Sequence, residues 1–193
     1  SITIVGASLA GLRAAEALRR ADFDGTITLV GDEAHAPYDR PPLSKQVLSG
    51  DWDADRVALT APDKLAELEL DLRLGVSATG FELASRLLTL DSGDAVVVDG
   101  LLIATGSRCR TIPGTEELEG VHVLRSLDDA LALRRELDAS PQRVVVVGAG
   151  FIGAEVAATA RGRGLEVTLV EALPTPLGRV LGDDMGAVCA EVH

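Results

Sequence analysis

Aromatic side chains are almost missing from this sequence, with one Trp, one Tyr and three Phe making up 3% of 193 residues. A platform that stacks nucleic-acid bases has nearly no material to be built from. Positive charge is also short: 18 Lys and Arg face 30 Asp and Glu, a net charge of −12. Affinity for a phosphate backbone needs the opposite balance, so nucleic acid is not an expected partner. Residues 1–110 carry 17 acidic against 11 basic side chains and residues 111–193 carry 13 against 7, so no charged tail hides in the average. Cysteine is limited to Cys109 and Cys189, 80 positions apart with no CxxC, which excludes a disulfide framework and a zinc-ligand pattern. His35, His122 and His193 share no ligand spacing, and no metal is expected. No apolar run approaches the roughly 20 residues of a membrane span, and no basic region precedes a long apolar core at the start of the chain. These absences predict a cytoplasmic protein that does not enter a membrane.

What is present reads as a globular α/β chain, 47% hydrophobic and 25% charged with 20 glycines. Ile2 to Val5 is a short β-branched run that breaks at Gly6 and yields to Leu12, Ala15 and Leu18 at helical spacing. Thr26 to Val30 is a second such run and ends at Gly31-Asp32-Glu33, completing a β-α-β unit with parallel strands. Residues 34–62 hold His35, Pro37, Pro41, Pro42 and Pro62 with little strand periodicity, a long connection of a kind usually kept for function. A short helix at 63–69 is expected next. Strand-like runs at 72–74, 78–82, 87–90 and 95–98 suggest a small antiparallel excursion, before Leu101 to Ala104 makes another apolar strand. Pro113-Gly114 marks a crossover, and Ser126 with Asp129 forms a capping box ahead of a helix reaching about Leu137. The opening pattern then returns about 142 residues on, as Val144 to Val147, a helix over 152–161 and a strand over 167–170. The expected architecture is therefore two Rossmann-like dinucleotide-binding domains, 1–110 and 111–193, with the antiparallel excursion in the first.

Each β-α-β unit carries a glycine turn. Gly148-Ala149-Gly150-Phe151-Ile152-Gly153 stands directly between strand and helix, as a dinucleotide fingerprint requires. Its first glycine permits the tight turn, the second lets backbone reach a pyrophosphate, and the third lets helix pack on strand, while the helix start attracts phosphate. Glu171 follows Gly148 by 23 residues, where an acid accepts both ribose hydroxyls and repels a 2′-phosphate, so NADH is favoured over NADPH. In Gly6-Ala7-Ser8-Leu9-Ala10-Gly11 a serine replaces the second glycine, and its hydroxyl is a donor for a phosphate oxygen. Asp32 and Glu33 stand 26 and 27 residues after Gly6, placed for a ribose. Two fingerprints suggest two dinucleotides, FAD and NADH. Taken by themselves, Arg40 and Lys45 read equally as solvated loop charges, Asp32 and Glu33 as a polar turn, and Glu155 as a charge complementing a helix dipole.

The run Pro37-Tyr38-Asp39-Arg40-Pro41-Pro42-Leu43-Ser44-Lys45, with both fingerprints and Ala104-Thr105-Gly106, resembles the FAD-dependent ferredoxin reductases of oxygenase and cytochrome P450 systems, within the pyridine-nucleotide-disulfide oxidoreductase superfamily. That resemblance implies FAD along the first unit, touched by Gly6 to Gly11, by Asp32 at the adenosine ribose and by Arg40 near the pyrophosphate. It implies Lys45 near the flavin ring, the backbone of Ala78 near adenine, Arg125 reaching FAD from the second segment, and Glu155 facing flavin and nicotinamide while pairing with Lys45. Disulfide reductases of this fold carry two cysteines where this chain has Pro41 to Lys45, so electrons are expected to leave for an external acceptor, a [2Fe-2S] or similar ferredoxin. An NADH oxidase or small-molecule reductase on the same scaffold, and a non-catalytic redox-responsive binding protein, stay open beside it, as does the oligomeric state. The resemblance further implies that both nucleotide domains are incomplete at His193, with the return to the flavin domain and a C-terminal interface domain lying beyond it.

Overall fold

A computed structural model describes residues 1–115 and 117–192. In chain order the elements are β1 (Ile2–Val5), α1 (Leu9–Arg20), β2 (Ile27–Gly31), α2 (Gln46–Ser49), α3 (Pro62–Ala66), β3 (Leu70–Leu74), β4 (Ala78–Glu82), β5 (Leu87–Leu90), β6 (Ala95–Val97) and β7 (Gly100–Ile103). They continue as α4 (Leu127–Asp138), β8 (Arg143–Val147), α5 (Phe151–Gly162), β9 (Glu166–Val170), α6 (Gly178–Leu181) and α7 (Asp183–Val192), with 3-10 turns at Pro41–Ser44 and Ala54–Val57. Packing divides the chain into two units, the first of Ser1–Asp39 with Val57–Arg108 and the second of Arg40–Arg56 with Cys109–His193.

The first unit is built on a parallel sheet of order β3-β2-β1-β7, in which Ile4 lies between Leu29 and Leu102. A parallel sheet needs both faces covered, and strand alternation supplies two apolar faces here. Ile4, Ile27 and Leu29 bury against Ala15 of α1 on one side. Val5 and Val30, one residue out of phase, bury against Leu88, Leu90 and Val98 on the other. Those last residues come from the antiparallel β4-β5-β6 sheet and the residue after it. The run at 72–74, grouped by sequence with the antiparallel strands, belongs instead to β3 and pairs in parallel with β2. Leu70 and Leu72 answer Ile27 and Leu29 in that register, so they extend the parallel sheet rather than the excursion.

In the second unit β8 and β9 pair in parallel and α5 packs on them. The capping box starts α4: Asp129 N–H donates to Ser126 Oγ, and Ser126 N–H donates to the Asp129 carboxylate. Leu137, Val156, Ala160 and Leu165 form the core, and Leu48 joins them fully buried. Leu48 lies in sequence between β2 and β3 of the first sheet, so continuity places residues 40–56 in the first segment while burial places them in the second unit. The outward side of the β8–β9 pair, with Val145, Val147 and Val170, is exposed. Among the described residues no helix is long and apolar enough to cross a membrane, and His193 lies outside them.

Candidate functional site: two glycine turns and a lysine–glutamate pair

The first glycine turn is fixed by close approach of backbone. Gly6 has φ +120°, and a Cβ there would stand 2.1 Å from the Ala104 carbonyl oxygen. Gly11 is equally constrained, since its Cβ would fall 2.0 Å from the Gly6 carbonyl oxygen. The Ala104-Thr105-Gly106 turn therefore lies directly against the start of the fingerprint, held there by the Ala104 N–H donating to Val5 O at 2.7 Å. Ser8 is the N-cap of α1, yet its side chain makes no capping bond, and the first turn of α1 holds no acid. Leu9 and Ala10 open the helix at an exposed end. The helix thus presents unsatisfied N–H groups beside a hydroxyl, a donor set that suits phosphate oxygens.

Asp32 is exposed just past β2, whereas Glu33 accepts a hydrogen bond from the Tyr38 hydroxyl. The two acids paired by sequence thus have different surroundings. Ala78 is half-buried at the start of β4, beside a β-bulge. Gly31 was not singled out in sequence, but its missing Cβ would stand 2.5 Å from Ala7 Cβ, which lets β2 approach the glycine turn. Its place directly before Asp32 was the available signal.

The second turn has the same construction with more room at its centre. Gly148 has φ +103°, and a Cβ on Gly153 would fall 1.9 Å from the Gly148 carbonyl oxygen. At Gly150, the N-cap of α5, a Cβ would meet nothing within 4 Å, so open space lies where a pyrophosphate needs it. Phe151 and Ile152 follow half-exposed, and no acid stands in the first helical turn. Glu171 turns back toward this loop: one oxygen accepts Leu173 N–H at 3.0 Å and the other accepts Ala149 N–H at 2.7 Å. These backbone donors hold its carboxyl below the usual carboxylate range. A carboxylate has about four acceptor positions, so Glu171 retains capacity for ribose hydroxyls while bracing the loop.

The proline-rich segment supplies the third feature. Arg40 donates to the Arg125 carbonyl oxygen at 2.6 Å, bringing together two arginines 85 positions apart. Lys45 Nζ stands 2.9 Å from Glu155 Oε2, with side chains 39% and 35% exposed. The Ser44 hydroxyl donates to the same carboxylate oxygen. Burial raises the Glu155 carboxyl, but the hydrogen bonds from Ser44 and Lys45 and the lysine charge outweigh it, and the net displacement is downward. Two further residues that sequence reasoning did not assign complete the arrangement. Thr159 Oγ1 donates to the Ser44 carbonyl oxygen at 2.8 Å, and Arg163 donates to the Leu48 carbonyl oxygen at 3.0 Å. Glu155, Thr159 and Arg163 are spaced by four, one stripe along α5 and its cap, and that spacing from Glu155 was the only sequence signal for Thr159 and Arg163.

Two strand–glycine–helix turns, each with a helix start lacking an acidic cap and an acid after the next strand, define a protein of the dinucleotide-binding class. The pyridine nucleotide-disulphide oxidoreductase family model matches residues 1–193, and the chain belongs to that family. Rhodocoxin reductase of Rhodococcus erythropolis is 42% identical over 194 residues, covering 100% of this chain and 45% of that protein. The ferredoxin reductase component of a chlorobenzene dioxygenase from a Cupriavidus species is 44% identical over 188 residues, covering 96% of this chain and 45% of that protein. In the crystal structure of the covalent putidaredoxin reductase–putidaredoxin complex, a chain 36% identical matches with a TM-score of 0.93 over 100% of this chain and 47% of its own length. The chain spans just under half the length of the curated relatives it matches.

Proposed function

We propose that this chain serves an FAD-dependent NADH:ferredoxin reductase, which takes electrons from NADH and delivers them to a small iron–sulfur protein feeding an oxygenase or cytochrome P450. The observation that carries this reading is the pair of glycine turns, each with its third glycine pressed on the carbonyl of its first and a helix start left open for phosphate. Relatives that share 42% and 44% identity carry the names rhodocoxin reductase and ferredoxin reductase component of a chlorobenzene dioxygenase. Bound flavin supplies the exchange between two-electron and one-electron transfer. The protein's part is to bind, orient and bias. Gly6, Ser8, Leu9, Ala10 and Gly11 would cradle the FAD pyrophosphate, with Asp32 on a ribose, the Ala78 backbone near adenine, Arg40 and Arg125 supplying positive charge, and Ala104 to Gly106 closing the turn. Glu33 contributes by orienting Tyr38. Gly148, Gly150, Phe151, Ile152 and Gly153 would hold NADH, and Glu171 would select it over NADPH. Lys45 would place an ammonium toward negative charge on the flavin, beside its ion-pair partner Glu155.

Neither Cys109 nor Cys189 lies in the Pro41–Lys45 segment. The electrons therefore go to an acceptor outside the chain, in a reducing compartment that we take to be the cytoplasm. Net charge of −12 favours a second reading, an NADH oxidase or small-molecule reductase, because an acidic ferredoxin is repelled unless basic groups cluster locally. An anaerobic visible spectrum before and after NADH tests the first half of the proposal. Flavin bands that bleach on addition support it, and a folded protein that takes up no FAD refutes it. Cytochrome reduction that needs added ferredoxin then separates the reductase from an oxidase, whose oxygen uptake does not.

A further inference from the structure

The Glu155 carboxylate has two donors, and they come from consecutive residues. Lys45 reaches it from a half-exposed position, while Ser44 reaches it from a buried one, 4% exposed. The serine is also gripped by its backbone, through Thr159 one helical turn beyond Glu155. Side chain and carbonyl of one residue are thereby tied to one face of α5, and this fixes the serine hydroxyl toward the carboxylate. Its alternative acceptor, the Pro41 carbonyl oxygen at 3.5 Å, is at the edge of bonding distance. Lys45 has no such second tether among the hydrogen bonds of its side chain to described residues: its contact is the ion pair with Glu155.

We propose that Ser44 is a positioning residue that keeps a hydrogen-bond donor on Glu155, so that Lys45 can swing its ammonium to an anionic group without stranding a partly buried carboxylate. The anionic group is the reduced flavin of the function proposed above, and to that extent the inference rests on it. An ion pair with one donor would resist opening, because breaking it leaves an uncompensated charge. A serine donor of charge-assisted strength removes that resistance, since the carboxylate keeps a partner in both positions of the lysine. Lys45 is the charged group whose field acts on Glu155, so the serine and the lysine are the two determinants to separate.

The test is a carbon-13 NMR titration of Glu155 in the full chain, with glutamate labelled at the carboxyl and the signal assigned by Glu155→Gln. Removing the lysine as Lys45→Met should raise the midpoint, because burial then outweighs the serine bond, yet leave it below that of a variant lacking both donors. Adding Ser44→Ala should then leave burial unopposed and raise the midpoint by about one unit or more. Thr159→Val should raise it partway, and Thr159→Ser, which keeps the hydroxyl, should restore it. If Ser44→Ala does not fold, the Thr159 pair in the Lys45→Met background decides the matter alone. Lys45→Met raising the midpoint as far as the double variant overturns the proposal, as does a Thr159→Val titration indistinguishable from its parent. Flavin uptake, read separately by absorbance, decides the reductase reading, so the two can fail independently.

Discussion

Gly150 and Gly153 are three residues apart in one fingerprint, yet the structure predicts opposite consequences for giving each a methyl group. At Gly153 the new Cβ would stand 1.9 Å from the Gly148 carbonyl oxygen, and contacts below 3.0 Å are not tolerated. That carbonyl cannot easily swing away, because Gly148 N–H is bonded to Val170 O and Ala149 N–H to Glu171, both at 2.7 Å. The start of α5 must therefore part from the turn by about 1.1 Å, and a gap of that size forfeits roughly half of the dispersion attraction across it. Gly153→Ala should cost about 2–3 kcal/mol, at the upper end of overpacking effects. At Gly150 the backbone is extended, φ −79° and ψ −176°, and the Cβ meets open space. Gly150→Ala should change stability by only about 0.5 kcal/mol, a small loss at the cap offset by a less flexible unfolded chain. It should nevertheless weaken NADH at least about tenfold, because the methyl fills the path of the pyrophosphate. Guanidinium denaturation and fluorescence titration with NADH give the two quantities. The reasoning fails if Gly153→Ala keeps the parent stability, or if Gly150→Ala binds NADH as tightly as the parent.

Three other outcomes follow from named contacts. Leu48→Ala should destabilise by about 2–5 kcal/mol as a core truncation, and should expose residues 40–56, read as faster tryptic cleavage at Lys45 or Arg56. Ser126→Ala should cost about 0.5–2 kcal/mol through loss of the α4 cap, measured by denaturation. Glu155 is held below its ordinary carboxylate value, so its contribution is fully present above the unfolded value near pH 4.3 and fades as pH falls through the lower folded value. Glu155→Gln should therefore be less stable than the parent at pH 7, with the two denaturation midpoints converging in acid; a difference that widens on acidification would refute that sign.

The parallel framework was legible because its elements are local. Four- and five-residue apolar runs, a glycine at each break and helical spacing afterwards identified β1, β2, β8, α5 and β9 within a residue or two, and the presence of α1. The Ser126–Asp129 box was legible for the same reason, since both partners fall within one turn. The run at 72–74 was not assignable, because alternation gives a strand's faces but not its neighbour, and only the match of Leu70 and Leu72 to Ile27 and Leu29 puts β3 in the parallel sheet. Gly31 escaped notice since its constraint is a contact with Ala7, 24 positions earlier, rather than a turn of its own. Ser44 and Thr159 are ordinary small polar residues whose roles exist only in their contact, 115 positions apart.

That separation has a consequence for what holds the lysine. Residues 41–49 form a four-residue 3-10 turn and a four-residue helix, far below the length at which a helix is stable in water. Their shape is imposed by the second unit, through Leu48 in its core and through Glu155, Thr159 and Arg163 along α5. The position of Lys45 is thus a property of α5, although the lysine precedes that helix by more than 100 residues. The proline-arginine-lysine motif by itself specifies which groups are available and says nothing about where they point. Substitutions on the Thr159 face of α5 act on the lysine without touching it, and the motif transplanted without that face would keep its sequence and lose its geometry.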